Sequence, residues 1–549
     1  MKTYLILSLL VLAAMRGDAA PASAAAPGTL SENKNVTPSM GVYYKPQGGL
    51  VKANPYEVSA SPTRQSRLDE LVMKKLQQKG IQPSAPCSEA VFLRRVYLDL
   101  IGTVPTGKEA ADYLLDGNPD KRRLLVDRLL QRDEYADYWS MKWCDLLRVK
   151  AEFPINLWPN AVQAYHYWIR ASLRQNMTYD KFARELLTGN GSNFRVPQVN
   201  FFRATQNKNP QGVAQVVALT FMGTRAENWP KDKLKGMAAF FSQITFKSTT
   251  EWKEEIVYYD ASNTNAVMTG VFPDGTQVKF PAGRDPRAIF ADWLINPKNP
   301  WFTRNIANRA WSWLLGRGII HEPDDVRSDN PPVNPELLDY LEKELIAANY
   351  DIKQLFRVIV NSQTYQRTCL PKTKNPDVEA YFACYTLRRL EAEVMIDALN
   401  QVTGTTEKYF SPIPEPFTFI PDDQRSIALS DASITSPFME MFGRPPRDTG
   451  LENERNNKST TGQNLHMLNS SHVQRKIEQG KNLQYLLQSK NSIRDIANGL
   501  YLMILSRWPT EAESRSIAEY SQMGHATQRE VAIDVAWALV NSAEFEYRH

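Results

Sequence analysis

At Asn118-Pro119, Asn209-Pro210, Asp285-Pro286 and Asn334-Pro335 a helix-capping residue stands directly before a proline that can open a helix. A short polar side chain there accepts an orphan amide of the first turn, and proline at the first helical position lacks an N–H that would have no partner anyway. This punctuation commits most of the sequence to helices with defined starts. Thr106-Gly107-Lys108-Glu109 adds a capping box, in which the Thr hydroxyl takes one orphan amide and Glu reaches back to another. "RLDELVMKKLQQKG" (67–80) sets Leu68, Leu71, Val72 and Leu76 on one stripe and stops at Gly80. The expected fold class is mainly α.

One stretch departs from that pattern. "EEIVYYDASNTNAVMTGVFPDGTQVKFPAG" (254–283) alternates β-branched and aromatic residues around Pro273-Asp274-Gly275. It predicts a small β-meander with a tight turn. It reads either as a connector covering part of a helical core or as a binding platform. It divides the chain into helical modules at 64–253 and 284–549. Residues 25–63, rich in Pro, Gly, Ser and Asn without sustained periodicity, read as a flexible linker.

The modules share an internal echo. Tyr97 of "VYLDLIGTVPTGKEAADYL" matches Tyr501 of "LYLMILSRWPTEAESRSIAEY"; Pro105-Thr106 matches Pro509-Thr510, and Glu109 matches Glu513. Downstream, "LLVDRLLQRDEYADYW" resembles "VAWALVNSAEFEYR", and "LFRVIVNSQTYQR" (355–367) has the same ending. The unit is a helix, a Pro-Thr turn that caps the next helix, and a further helix ending in a polar turn and an aromatic. It is weakly similar to the helical repeats of phycobilisome linkers and of some surface-layer-associated proteins, which points to assembly.

The N-terminus has the layout of a secretory signal peptide, with Lys2 before the short apolar run "YLILSLLVLAAM" and A-x-A-like cleavage sites ending at Ala19 and Ala24. Residues 1–24 are assigned to it, and the mature chain is expected in the periplasm or outside the cell, without a transmembrane segment. The formal charge is only +5, with Lys and Arg interleaved with Asp and Glu, which argues against a nucleic-acid partner. The four cysteines lack C-x-x-C spacing, and the histidines show no H-E-x-x-H pair, so no metal site and no attached haem are expected. In an exported protein Cys369 and Cys384, flanking a Pro-containing turn, are the better candidate disulfide; a loop of that size is worth roughly 3 kcal/mol. Cys144, among aromatics, reads as a buried apolar residue.

Longer motifs carry a stronger resemblance. "FLRRVYLDLIGTVPT", "YADYWSMKWCDLLR" and "FARELLTGNGSNFR" resemble the N-terminal module of a two-module exported family abundant in planctomycetes, the planctomycete cytochrome-associated domain. "NPWFTRNIANRAWSWLLGRGIIHEPDDVRSDNPPVNPELLDYL", "VIVNSQTYQR", "LRRLEAEVMIDALNQVTG", "FGRPPRD" and "LHMLNSSHVQRKI" resemble its C-terminal companion. Both modules are domains of unknown function; some members carry haem-attachment domains, and their genes often lie near sulfatase-like genes. This chain departs from the common pattern twice. Where many members hold a Cys-x-x-Cys-His run after "FMGTR", it has Ala226, Glu227, Asn228 and Trp229. Where many hold Cys-x-Cys-Glu-Arg after "GRPPR", it has Leu451-Glu452-Asn453-Glu454-Arg455. Losing both sets together is the expected outcome if they serve one shared site. A haem c link needs two thiols, and a thiolate metal site needs its sulfurs.

The densest charged constellation is "FGRPPRDTGLENERN": Arg444, Arg447, Asp448, Glu452, Glu454 and Arg455. Paired arginines suit bidentate binding of a sulfate or an anionic sugar, and two carboxylates about 5–9 Å apart suit glycoside hydrolysis. The competing reading is an ion-pair network bracing the C-terminal module. His466 is the histidine best placed for catalysis, against a plain helix-face role. Asp324, Asp325 and Arg327 on a polar loop suit a cation or a pocket wall, against caps and salt links. Tyr135, Tyr138, Trp139 and Trp143, with Trp158 and Trp168, are spaced for core packing; stacking on sugar rings is the alternative. Two function classes follow. The first is an exported helical binding or scaffold protein of a polysaccharide-handling or cell-envelope system, with polysaccharide or envelope proteins as partners. The second is a periplasmic glycan hydrolase using the 444–455 cluster.

Overall fold

The computed structural model describes residues 54–262, 268–488, 491–524 and 526–549. The expected signal peptide lies outside the described residues, as does the linker as far as residue 53. Residues 54–63, read as linker, lie against both modules. Glu57 bridges to Cys87, Tyr56 Oη donates to Glu544 at 3.1 Å, and Thr63 Oγ1 donates to Gln366 at 2.7 Å.

The architecture is mainly α, as the punctuation predicts. Asn209, Asp285 and Asn334 each cap a helix whose first residue is the following proline, accepting from Gly212, Arg287 and Leu337 amides. Asn118-Pro119 differs: Asn118 closes a local turn by accepting from the Asp120 amide, and the helix begins at Lys121. Leu68, Leu71, Val72 and Leu76 are buried on one stripe, and Gly80 ends their helix in the left-handed conformation. One continuous apolar core runs through both modules, from Leu68 to Phe545. Tyr135, Tyr138, Trp139 and Trp143 lie inside it, each 1–2% exposed, and Trp168 stacks on Phe182. Cys144 is buried there too. Among the described residues no helix is long and apolar enough to cross a membrane.

The strand-forming stretch does not make one meander. β1 (Gly191–Ser192), β2 (Ile244–Ser248) and β3 (Glu255–Tyr259) form an antiparallel sheet in the order β1-β3-β2, which reaches back before residue 254. β4 (Thr269–Val271) and β5 (Gln277–Lys279) form a separate hairpin, with Pro273-Asp274-Gly275 in its turn and Gly275 at φ 92°. The reason is packing. Phe272 and Phe280 flank the hairpin ends and close on Phe240 at 4.7 and 5.1 Å between ring centroids, so the hairpin covers helical core. Gly270 permits this approach, since a Cβ there would lie 2.7 Å from both Phe240 and Phe280.

The internal echo has a structural counterpart. In the first unit α1 (Glu89–Ile101) ends at left-handed Gly102. Thr106 then caps α2 (Gly107–Leu115) with Glu109 completing the box, and α3 (Lys121–Leu129) and α4 (Asp133–Leu146) follow. Farther on, α5 (Ala392–Thr403) crosses the C-terminal module. In the second unit α6 (Ile493–Leu505) ends at left-handed Ser506, Thr510 caps α7 (Glu511–Gln522) with Glu513 completing the box, and α8 (Gln528–Val540) follows. Finally β6 (Arg388–Arg389) pairs with β7 (Tyr547–Arg548), which holds the end of the second unit against the start of α5.

Candidate functional site

The loop after "GRPPR" lies between α4 and α5, and its arginines point inward. Arg455 is clamped by two carboxylates: it donates to Asp145 of α4 at 2.7 Å and to Glu393 of α5 at 2.6 Å. Arg447 takes the other oxygen of Asp145 at 2.9 Å, from a left-handed backbone at φ 59°. Arg444 pairs with Glu393 at 3.6 Å and donates to the carbonyls of Asp431, Ala432 and Ile434. These three arginine side chains are 8%, 1% and 4% exposed, so the charges are out of water and act on each other. Burial alone would raise the Glu393 carboxyl, but the Arg455 guanidinium outweighs it and pushes it down to about 2. Burial pushes Arg444 down to about 10, with Arg447 beside it adding to the effect.

A second tier joins the same helices. Glu391, at the start of α5, accepts from Lys142 of α4 and from Arg548 of β7, both at 2.5 Å. Arg548 and Lys142 outweigh the burial of Glu391 and hold its carboxyl well below the usual range. Asp99 of α1 accepts from Tyr365 Oη at 2.8 Å, Tyr385 Oη at 2.7 Å and Arg388 at 3.2 Å. The N-terminal module therefore contributes Asp99, Lys142 and Asp145, and the C-terminal module contributes the arginines and glutamates. The whole is an ionic clasp across the two modules.

The other expected site residues separate from these arginines. Glu454 braces its own loop, accepting from the Asp448 and Thr449 amides at 2.8 and 3.3 Å. Asp448 pairs with Lys150 at 2.7 Å. Glu452 accepts from Trp313 Nε1, and its amide donates to Asp324 at 2.6 Å; Asp324 is in turn paired with buried Arg309 at 2.6 Å. Burial, with the nearby Asp324 charge, raises the Glu452 carboxyl. Beside it, among Lys142, Leu451 and Arg455, the cavity is about 10 Å³, room for one water. Asp325 and Arg327 form an ion pair at 3.0 Å, and Arg327 extends it to Asp329 at 3.1 Å on the surface. His466 packs edge-on against Phe438 and Phe442, its Nε2 buried without a hydrogen-bond partner among the described residues. Burial and then His472 lower its pKa. Cys384 is buried and Cys369 half-buried, and Cys369 lies near enough to act on the Cys384 thiol.

The segment leading into the first departing stretch and the second stretch itself both contact one loop. Glu322 pairs with Arg225, directly before Ala226, at 3.7 Å, and accepts from Asn453 at 3.2 Å. The Val326 amide donates to Gly223 and the Glu452 amide to Asp324, so both segments dock on the 322–326 loop. The residues present do not fit a haem link or a thiolate site, because neither stretch carries a thiol or an imidazole. Among the described residues no group of three or more His, Cys, Asp or Glu side chains is placed to hold a metal ion.

Sequence reasoning missed Asp99, Lys142, Asp145, Glu391, Glu393 and Arg548. The signal was there for some of them: Lys142 and Asp145 interrupt the aromatic helix "YWSMKWCDLL", and Glu391 and Glu393 interrupt "LEAEVMIDAL". A charge on a face otherwise built for the core needs a buried partner.

No curated protein and no solved structure matches the chain. Residues 67–245 match the family described as PSCyt2, protein of unknown function (DUF1549), and residues 286–521 match PSD1, protein of unknown function (DUF1553). With the first module at the N-terminus and the second at the C-terminus, the chain belongs to the planctomycete-type family of two-module proteins of unknown function.

Proposed function

We propose that the chain is an exported helical binding or scaffold protein of a polysaccharide-handling or cell-envelope system, whose two modules are clasped into one unit. The observation that carries this reading is the closure of the 444–455 cluster. Arg444, Arg447 and Arg455 face Asp145 and Glu393, and among the described residues each guanidinium is committed to one of these carboxylates, with only the buried Arg444 Nε and Arg447 Nη2 groups lacking a hydrogen-bond acceptor. Taking one partner from such a buried pair costs about 3–5 kcal/mol, because the other charge is left uncompensated. That is the behaviour of a brace. Export rests on the leader-like residues 1–24.

One observation favours the hydrolase reading. Glu452 is a half-buried carboxyl raised above its ordinary value beside a second carboxylate, Asp324, which is the pattern of a general acid with a partner. The adjoining cavity of about 10 Å³ weighs against it, since a sugar ring and an attacking water need far more room. The test is to incubate the purified mature chain with neutral, carboxylated and sulfated polysaccharides and with isolated envelopes. Co-sedimentation and released reducing ends are then measured. The expected result is retention on one of these materials without new reducing ends. Release of reducing ends that disappears in Glu452→Gln would replace the scaffold with the hydrolase.

A further inference from the structure

The same face of the two Pro-Thr units meets different surroundings. In the first unit the cleft between α1 and α2 is filled by the end of α6. A Cβ on Gly107 would lie 3.0 Å from the Met503 side chain, and Arg94 donates to the Ile504 carbonyl and, at 3.3 Å, to Ser506 Oγ. Small residues make that fit, with Gly107, Ala110 and Ala111 all buried. In the second unit the corresponding cleft, between α6 and α7, is a pocket of about 260 Å³.

The sequence register that pairs Tyr97 with Tyr501 puts Glu511, Ser514 and Arg515 where the first unit has Gly107, Ala110 and Ala111. It puts Asn498 where the first unit has Arg94. A cleft shaped for another helix would keep the small apolar residues; this one has exchanged them for polar and charged ones. Asn498 lines the pocket and is 6% exposed, and its side-chain amide has no hydrogen-bond partner among the described residues. The amide is not sealed in the core: its polar atoms reach the pocket, where a ligand hydroxyl can pair with them. Arg494 and Arg515, both exposed at the rim, have no ion-pair partner among the described residues, and Ile517 supplies an apolar floor.

We propose that this cleft binds a compact oxyanion ligand, a carboxylate or sulfate carried on a small polar body of the size of one acidic sugar unit. Arg494 and Arg515 take the oxyanion through charge-assisted hydrogen bonds, Asn498 and Ser514 read neighbouring hydroxyls, and Glu511 accepts from a further hydroxyl. The pocket shares no residue with the clasp, so the inference stands apart from the scaffold reading. Calorimetric titration of the mature chain with glucuronate, inorganic sulfate and glucose tests it. Glucuronate is expected to bind and glucose not, with Arg494→Ala and Arg515→Ala each weakening binding at least tenfold at unchanged melting temperature. Asn498→Leu is expected to abolish it. Sulfate binding as tightly as glucuronate would support the oxyanion site and identify a free anion as its source. Absence of heat with both anions, or binding that Arg515→Ala leaves unchanged, would overturn it. So would a wild-type dimer that Arg515→Ala dissociates, since the cleft would then be an interface between copies.

Discussion

The first Pro-Thr unit and the second are braced by the same four side chains in kind, a tyrosine over an arginine that bridges two glutamates. In the first, Arg132 donates to Glu109 and Glu134, both at 2.7 Å, with the Tyr97 ring centroid 5.7 Å away. In the second, Arg507 donates to Glu513 and Glu544, both at 2.7 Å, under Tyr501 at 5.1 Å. The glutamates and tyrosines correspond in sequence, but the arginines do not. Arg132 comes from the turn before the last helix and lies opposite Ser542; Arg507 comes from the Pro-Thr turn and lies opposite Thr103. What is kept is an arrangement of charge, and either turn can supply the cation. The two braces also differ in solvation, with side-chain exposure of 5% for Arg507 against 24% for Arg132.

That difference in solvation ranks the ways to break the two units. Arg507→Ala strands Glu513 and Glu544, of which 19% and 11% is exposed, and also removes the cation beside Tyr56. A loss of about 3–5 kcal/mol is expected in denaturant unfolding. A loss below about 1 kcal/mol would show that the second brace is ornamental.

Glu546 sharpens the contrast, because Ala136 stands at its place in the first unit. Burial raises its carboxyl to about 7, and Arg389 only partly opposes this. Its folded pKa lies above the unfolded value near 4.5. The proton therefore binds the folded state more tightly, and stability is intact below about pH 4.5 and declines as pH rises through 7. Glu546→Gln is expected to gain roughly 2–3 kcal/mol at pH 8 and nothing at pH 4. Parallel stability–pH curves for wild type and variant would refute this. The smallest expected effect belongs to the wetter brace: Arg132→Ala should cost about 1–2 kcal/mol, less than its counterpart in the second unit. An equal loss in both would mean that exposure does not govern these pairs.

The sequence determined what is local. Capping residues before proline, the Thr-x-x-Glu boxes and the Leu68–Leu76 stripe act within one or two turns, so the helical class, most helix starts and the repeated unit were legible. Motif order was enough to identify the family. The split of the strand-forming stretch was not, because it depends on Phe272 and Phe280 meeting Phe240, and on Gly191 and Ser192 meeting β3. The charged loop was found but its chemistry was not. Arg447 and Arg455 face Asp145, some three hundred positions earlier, and the side chains that close the cluster sit in helices chosen for their apolar residues. A charge declares its own presence in a sequence, but whether water, a ligand or another charge answers it depends on which distant segment the fold places within 3 Å and how much solvent is excluded. At 444–455 the tertiary structure answered with buried carboxylates; at Arg494 and Arg515, the same residue type on another helix pair, it left the guanidinium groups at an open pocket.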